Sequence, residues 1–307
     1  FNFFQVLYIS FFSVYFHNNM NFIVLLCIVL LIMKELIHGK FSQRDIVFFL
    51  AILFLFITVL IIRGFITASV FIYIFSSRNI NFEKILKYFI ITIAFSLTIV
   101  FVSARFGLIL NYSKVSNGTT KHYLGFVYSL YGPAILFNLS AAYLYLETKV
   151  KKLNVFKLLF IFVINFLFYR LTNASLSFIF SSILIMVVYI YNRKKSILKN
   201  KFTICCMEYS YFWCLLISFI FAFSYKSNIN WMFNLNNFLE NRLSLQTFSL
   251  KLFGLSWIGV PVIWQGNALD INGVLPIGNY LVVDNFYINV AQLYGILFLS
   301  IIIIFLS

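Results

Sequence analysis

The sequence predicts an all-α fold: a polytopic transmembrane bundle of about ten spans, with a large extracytoplasmic loop before the last one. Three observations predict it. Of 307 residues, 63% are hydrophobic and 10% charged, more apolar surface than a soluble domain of this length can hide. The apolar residues form unbroken runs, not the alternation of a membrane β-barrel. The basic residues collect in short turns between the runs, as the positive-inside rule describes. The net charge of +15 is thus read as a topology signal, and no nucleic-acid partner is expected.

The runs follow one another at residues 3–16, 22–33, 46–62, 65–75, 88–104, 125–146, 156–169, 176–191, 202–223 and 286–306. Several fall short of the roughly 20 residues a span needs, the first, second and fourth above all. Arg63-Gly64 reads as a tight turn or as a break within one hairpin. The whole chain, 1–307, is read as one integral membrane domain. An outer loop occupies 105–124, and a large outer loop with interfacial helices occupies 225–285. There are 41 phenylalanines but 12 glycines and 3 prolines, a composition that reads as AT-rich codon bias, so a single Phe says little about function.

Sidedness follows from the larger share of the 23 Lys and Arg residues. Lys34, Lys40 and Arg44, then Arg78, Lys84 and Lys87, then Lys149, Lys151, Lys152 and Lys157, and finally Arg193, Lys194, Lys195, Lys199 and Lys201 fall in short turns. That set is assigned to the cytoplasm, which puts the N-terminus inside. The other set (Arg63, Arg105, Lys114, Lys121, Arg170, Lys226, Arg242 and Lys251) is spread over longer polar stretches and is assigned outside. Lysine dominates the inner turns, whereas four of the arginines are outer. An arginine fork suits phosphate and keeps its charge, although a snorkelling interfacial anchor explains Arg63 or Arg105 equally well.

Cys27, Cys205, Cys206 and Cys214 lie in apolar runs without metal-ligand spacing and read as structural thiols. The first run lacks a basic flank and a small-residue cleavage site, so no cleavable leader is expected. The sequence begins at Phe1 and stops inside an apolar run, as a piece of a longer chain would.

The outer segments supply the candidate site. In 105–124, Asn117-Gly118 is a turn signal, and Lys121-His122 stands just before the next run. His17 and His38 lie in other short turns, which leaves His122 as the histidine of a substantial outer loop. It suits a general base near neutral pH, or it is simply a solvated loop residue. The hexamer 170–175 brings a guanidinium, a hydroxyl and an amide together at a turn. Residues 231–253 read as an amphipathic interfacial helix with Arg242 on or beside its polar face and Gly254 as its C-terminal cap. Residues 254–278, with Pro261 and Pro276, should be irregular. Asp284 either caps the last helix or serves the site. The outer loops hold Glu240, Asp270 and Asp284 and no Asp-x-Asp pair, so neither a metal nor another cofactor is expected.

Four patches carry a family resemblance. They are Lys121-His122-Tyr123-Leu124-Gly125-Phe126 before a span, Tyr169-Arg170-Leu171-Thr172-Asn173-Ala174-Ser175 in a short turn, Asn241-Arg242-Leu243 followed by Leu252-Phe253-Gly254, and Val283-Asp284-Asn285-Phe286-Tyr287 with Gly295 beyond. In order, spacing and sidedness this resembles the Wzy-type polysaccharide polymerases of capsule, exopolysaccharide and O-antigen synthesis, relatives of the O-antigen ligases. The patches cover about a tenth of the chain. The chain departs from the family pattern in having Lys121-His122 where an Arg often precedes Gly-Phe, Pro133-Ala134 where Pro-Asn is common, and Ala174-Ser175 where Ser-Arg is common.

The resemblance implies a membrane glycosyltransferase of the bacterial cytoplasmic membrane. It would transfer glycan from undecaprenyl pyrophosphate onto a lipid-linked repeat unit, with membrane lipid around it and a flippase and a chain-length regulator as partners. A pyrophosphate leaving group calls for cationic donors, and an acceptor hydroxyl calls for a base. His122, Arg242 and Arg170 are the catalytic candidates. Arg105, Lys121, Glu240, Asp284 and Asn285 are the substrate-binding candidates. A lipid-linked oligosaccharide flippase is the main alternative; it would expect charges along the spans and often an internal repeat, and here only Glu208 stands out within a run. An O-antigen-ligase-like transferase would use the same cations.

Overall fold

The computed structural model describes residues 2–16, 19–39, 42–78, 80–116, 119–150, 154–193, 200–278 and 280–306. His17, the Asn117-Gly118 turn signal and the inner-turn lysines Lys40, Lys151, Lys152, Lys194, Lys195 and Lys199 lie outside the described residues. The architecture is helical. In chain order come α1 (Asn2–Tyr8), α2 (Ser13–Phe16), α3 (Met20–His38), α4 (Gln43–Arg63), α5 (Phe65–Ser77) and α6 (Phe82–Arg105). The hairpin β1 (Ser113–Ser116) and β2 (Thr119–His122) follows. Then come α7 (Tyr131–Val150), α8 (Val155–Thr172), α9 (Ser175–Arg193), α10 (Lys201–Glu208), α11 (Ser210–Ser224), α12 (Asn230–Phe238), α13 (Arg242–Phe253), α14 (Phe286–Tyr294) and α15 (Ile296–Leu306).

Five helices, α3, α4, α6, α8 and α9, are long and apolar enough to cross a membrane. Only 6% to 22% of each spanning window is buried by protein, so another apolar medium must cover the rest. These helices suit a membrane-embedded protein. α5, α11 and α15 are apolar but shorter.

Three of the expected runs are interrupted. The first splits into α1 and α2 around the buried Ser10, whose hydroxyl donates to the Leu7 carbonyl at 2.7 Å and accepts from Phe12 N–H at 3.3 Å, taking an amide the helix would have used. The freed chain pairs instead with a distant segment, with Phe11 N–H donating to Gly125 O at 2.9 Å and Val127 N–H to Ile9 O at 3.2 Å. The run at 202–223 parts at Tyr209 into α10 and α11. The last run breaks at Gly295 (φ +94°) into α14 and α15. A Cβ on Gly295 would strike the Trp257 carbonyl oxygen, which the loop brings up against the helix. The break is stitched by that loop: Ile296 N–H donates to Ser256 O at 3.0 Å, Leu297 N–H to Trp257 O at 3.2 Å, and Val260 N–H to Gln292 O at 2.7 Å.

The chain divides into two compact units, each with its own core. The first comprises Phe1–Leu30, Ser77–Lys199 and Asn267–Pro276. It packs Val6, Leu7 and Phe11 against Val100, Ala104 and Phe126, with a smaller cluster of Leu144, Leu158 and Ile161. Sequestering a side chain such as Phe126 contributes about 1.5–3 kcal/mol. A buried polar link ties α7, α8 and α9: Asn165 Nδ2 donates to Ser140 Oγ at 3.0 Å, and Ser181 Oγ donates to Asn165 Oδ1 at 2.8 Å. The second unit comprises Leu31–Ser76, Asn200–Gly266 and Ile277–Ser307. There Leu55 and Val59 of α4 and Ala68 of α5 share a core with Val290, Ala291, Phe298 and Leu299 of the broken last helix.

Candidate functional site

In the second unit the site is built on a turn. Residues 231–253, expected as one helix, form α12 and α13, separated by Glu240 (φ +54°) and Asn241 (φ +65°) in the left-handed region. Asn tolerates that conformation better than most residues. The buried Asn236 holds the turn from the preceding helix. Its Oδ1 accepts from Ser244 N–H at 2.9 Å, its Nδ2 donates to Asn241 Oδ1 at 2.9 Å, and its carbonyl accepts from Asn241 N–H at 2.8 Å. Asn236 thus caps α13 in place of Asn241, whose side chain does not cap. Gly254 ends α13 as expected, its N–H donating to Leu250 O at 2.9 Å.

Arg242 is therefore the first residue of α13 rather than a mid-helix position. Its Nη2 lies 3.5 Å from Asp284 Oδ2, with the two side chains 27% and 36% exposed. That separation is longer than a charge-assisted hydrogen bond, and a pair so exposed contributes at most about 1 kcal/mol. The guanidinium is placed but lightly held. Asp284 is free for this pairing because Asn285 caps α14, its Oδ1 accepting from Tyr287 N–H at 3.0 Å and Ile288 N–H at 3.4 Å. Asn285 Nδ2 also reaches Gln246 Oε1 at 3.5 Å. The buried Val283 anchors the segment on the other side, its carbonyl accepting from Asn289 Nδ2 at 2.9 Å.

Tyr280 belongs to the same group, and reading the sequence did not single it out. Burial pushes its phenol pKa up, Asp284 and Glu240 push the same way, and Arg242 opposes them. All three charged candidates of this unit are thus felt at one neutral hydroxyl. The signal was spacing: in an extended segment, i and i+4 project to one side, which pairs Tyr280 with Asp284. Asp270, by contrast, shapes a turn. Its Oδ1 accepts from Asn272 N–H at 2.9 Å and Val274 N–H at 2.7 Å.

In the first unit the basic candidates gather at one end. α6 ends at Arg105 and leads into the β1–β2 hairpin, against which α8 packs. The Phe101 and Phe168 rings lie 6.4 Å apart, which levels the last turns of α6 and α8. Arg105 and Arg170 are both exposed there. α8 runs on to Thr172 and closes at Asn173 in the left-handed region, so Arg170 is helical and the hexamer is a tight interhelical turn.

The hairpin separates two neighbouring candidates. Its register pairs Lys114 with Lys121 and Ser113 with His122. Successive strand residues point to opposite faces, so Lys121 and His122 do not share one. Lys121 instead shares a face with Lys114, and directly opposed like charges destabilise a hairpin. Among the described residues neither lysine has an ion-pair partner. His122 is half-buried, and the rings of its chain neighbour Tyr123 and of Tyr112 meet edge-on at 4.9 Å. Among the described residues, no three His, Cys, Asp or Glu side chains come together in a way that would hold a metal ion.

No protein-family model, curated protein or solved structure matches the sequence.

Proposed function

We propose that the protein is a polysaccharide polymerase of the Wzy type, transferring undecaprenyl-pyrophosphate-linked glycan onto a lipid-linked repeat unit in capsule or exopolysaccharide synthesis. The observation that carries the reading is Arg242 on its pinned turn, paired at 3.5 Å with Asp284 and beside Tyr280. A guanidinium held by so weak a pair can exchange its carboxylate for a pyrophosphate as charge builds on the leaving group. In the reaction an acceptor hydroxyl oxygen bonds to the anomeric carbon, the bond from that carbon to the pyrophosphate oxygen breaks, and the hydroxyl proton passes to a base. His122 is assigned as that base. Arg170, Arg105 and Lys121 add positive charge for the lipid-linked anions, and Glu240, Asp284 and Asn285 orient sugar hydroxyls. The chemistry is proposed to need no metal, since the outer stretches offer three scattered carboxylates.

The same proposal includes the topology: about ten crossings of the bacterial cytoplasmic membrane, with the N-terminus inside and residues 105–124 and 225–285 outside. Flippase and chain-length regulator proteins are its expected partners.

One observation favours the flippase reading. The last apolar run is a broken helix, a device transporters use at their binding sites. Here, however, three of the backbone groups at the break, Gln292 O and the Ile296 and Leu297 N–H groups, are taken up by the 256–260 loop rather than left for a substrate. The test is glycan length in a deletion strain complemented with wild type, Arg242→Ala, Arg170→Ala or His122→Ala, with membrane levels checked by immunoblot. Single repeat units from normally expressed variants support the polymerase. Full-length polymer from all three removes the assigned residues. In the deletion strain itself, unpolymerised units held inside the cell point to a flippase, and finished but unattached polymer to a ligase.

A further inference from the structure

A second basic feature stands apart from the groups above. Arg63 is the last residue of α4, one of the five helices long enough to cross a membrane, so it stands where the apolar stretch ends. Beside it the second unit forms a groove of about 420 Å³, lined by Ile62 and Arg63 at the end of α4, by residues 258–263 of the loop, and by Leu293. Arg63 is the single polar side chain among the lining residues. Among the described residues it makes no ion pair and no side-chain hydrogen bond, and the Val262 and Ile263 N–H groups make no hydrogen bond either.

The walls are fixed. α4 is packed through Leu55 and Val59 onto Val290 and Ala291. The loop is tied to the broken helix by the Val260–Gln292 and Ile296–Ser256 bonds, and a Cβ on Gly259 would strike the Leu293 carbonyl oxygen. The rim is apolar and open: Ile61, Ile258 and Ile263 are 79%, 73% and 86% exposed. A sugar would need several hydrogen-bonding side chains, and this lining supplies one. An unpaired guanidinium fork with two unused backbone amides nearby suits phosphate oxygens, and exposed isoleucines suit acyl methylenes. The volume falls within the range of small-molecule sites, room for a headgroup and the start of its chains.

We propose that this groove binds the headgroup phosphate of an anionic membrane phospholipid, with the first acyl methylenes lying on Ile61, Ile258 and Ile263. The proposal rests on the apolar helices and on Arg63, and is independent of the polymerase reading. Its test is native mass spectrometry of the full chain in mild detergent with phosphatidylglycerol or phosphatidylcholine as probe. One phosphatidylglycerol should survive activation that strips the others, and phosphatidylcholine should not. Arg63→Gln should lose it and Arg63→Lys should keep it. Ile263→Asp, at a rim position outside the packed core, should lose it through like-charge repulsion. Retention of phosphatidylglycerol by Arg63→Gln and Ile263→Asp at the native level overturns the proposal. So does equal retention of the two lipids, or displacement of phosphatidylglycerol by an equal concentration of a polyprenyl phosphate.

Discussion

The two cationic clusters hold their charge in opposite ways. Arg242 is compensated by Asp284, flanked by a neutral phenol, and positioned by an asparagine from another helix. Lys114 and Lys121 face one another across a two-stranded hairpin with no acid paired to either among the described residues. A compensated cation is accurately placed but must give up its partner to act. An uncompensated pair keeps a standing repulsion that an arriving anion relieves. The first arrangement suits charge that develops during a reaction, and the second suits charge already present on a ligand.

The largest effect that tests this contrast is at Arg242. Arg242→Ala should lower transfer by about 10²–10³-fold, the cost of removing one preorganised donor. Asp284→Ala should change stability by no more than about 1 kcal/mol, because the pair it breaks is exposed. Kinetics of repeat-unit transfer and thermal unfolding in detergent measure the two. Next comes the turn itself. Asn236→Ala removes a buried group that satisfies two partners and should cost about 1–3 kcal/mol, read as a lower unfolding temperature; an unchanged temperature would mean that Arg242 is not held by that cap.

The hairpin should respond in the other direction. Lys114→Glu turns a repulsive cross-strand pair into an attractive one and should stabilise the molecule by about 0.2–1 kcal/mol while shortening the glycan product. Stability and product length falling together would show that the lysines are structural. The smallest effect is at Tyr280. Its phenol pKa is raised by burial, then by Asp284 and Glu240, with Arg242 opposing. The associated stability is complete below the unfolded value near 10 and is lost as pH rises through the higher folded value. Tyr280→Phe should therefore lose less stability than wild type above about pH 10, measured by unfolding across the alkaline range.

Much of the helical frame was legible because apolar runs and their flanking charges are local. The run expected at 46–62 is α4 (Gln43–Arg63), and the run at 88–104 lies inside α6 (Phe82–Arg105). What was not legible depends on partners far away in sequence. Gly295 sits in an aliphatic run that reads as continuous, and it breaks the helix where residues 256–260 press against it. Arg242 was expected on a helix face and became a helix start because Asn236 reaches across the turn. Lys121 and His122 read as neighbours at one site, and strand alternation parts them. That last separation had a visible sign: Asn117-Gly118, itself outside the described residues, stands in sequence between the two strands. Asp284, weighed as a helix cap, is released from that duty by the next residue, Asn285, a choice that local sequence does not decide.

The most direct test of the central claim is transfer by the purified full chain in lipid nanodiscs, supplied with undecaprenyl-pyrophosphate-linked repeat units from its own host. Wild type should build a ladder of products and release undecaprenyl pyrophosphate, while Arg242→Ala at equal loading should leave single units at a rate about 10²-fold lower or less. A ladder of equal length from Arg242→Ala, or single units alone from wild type, would contradict the account.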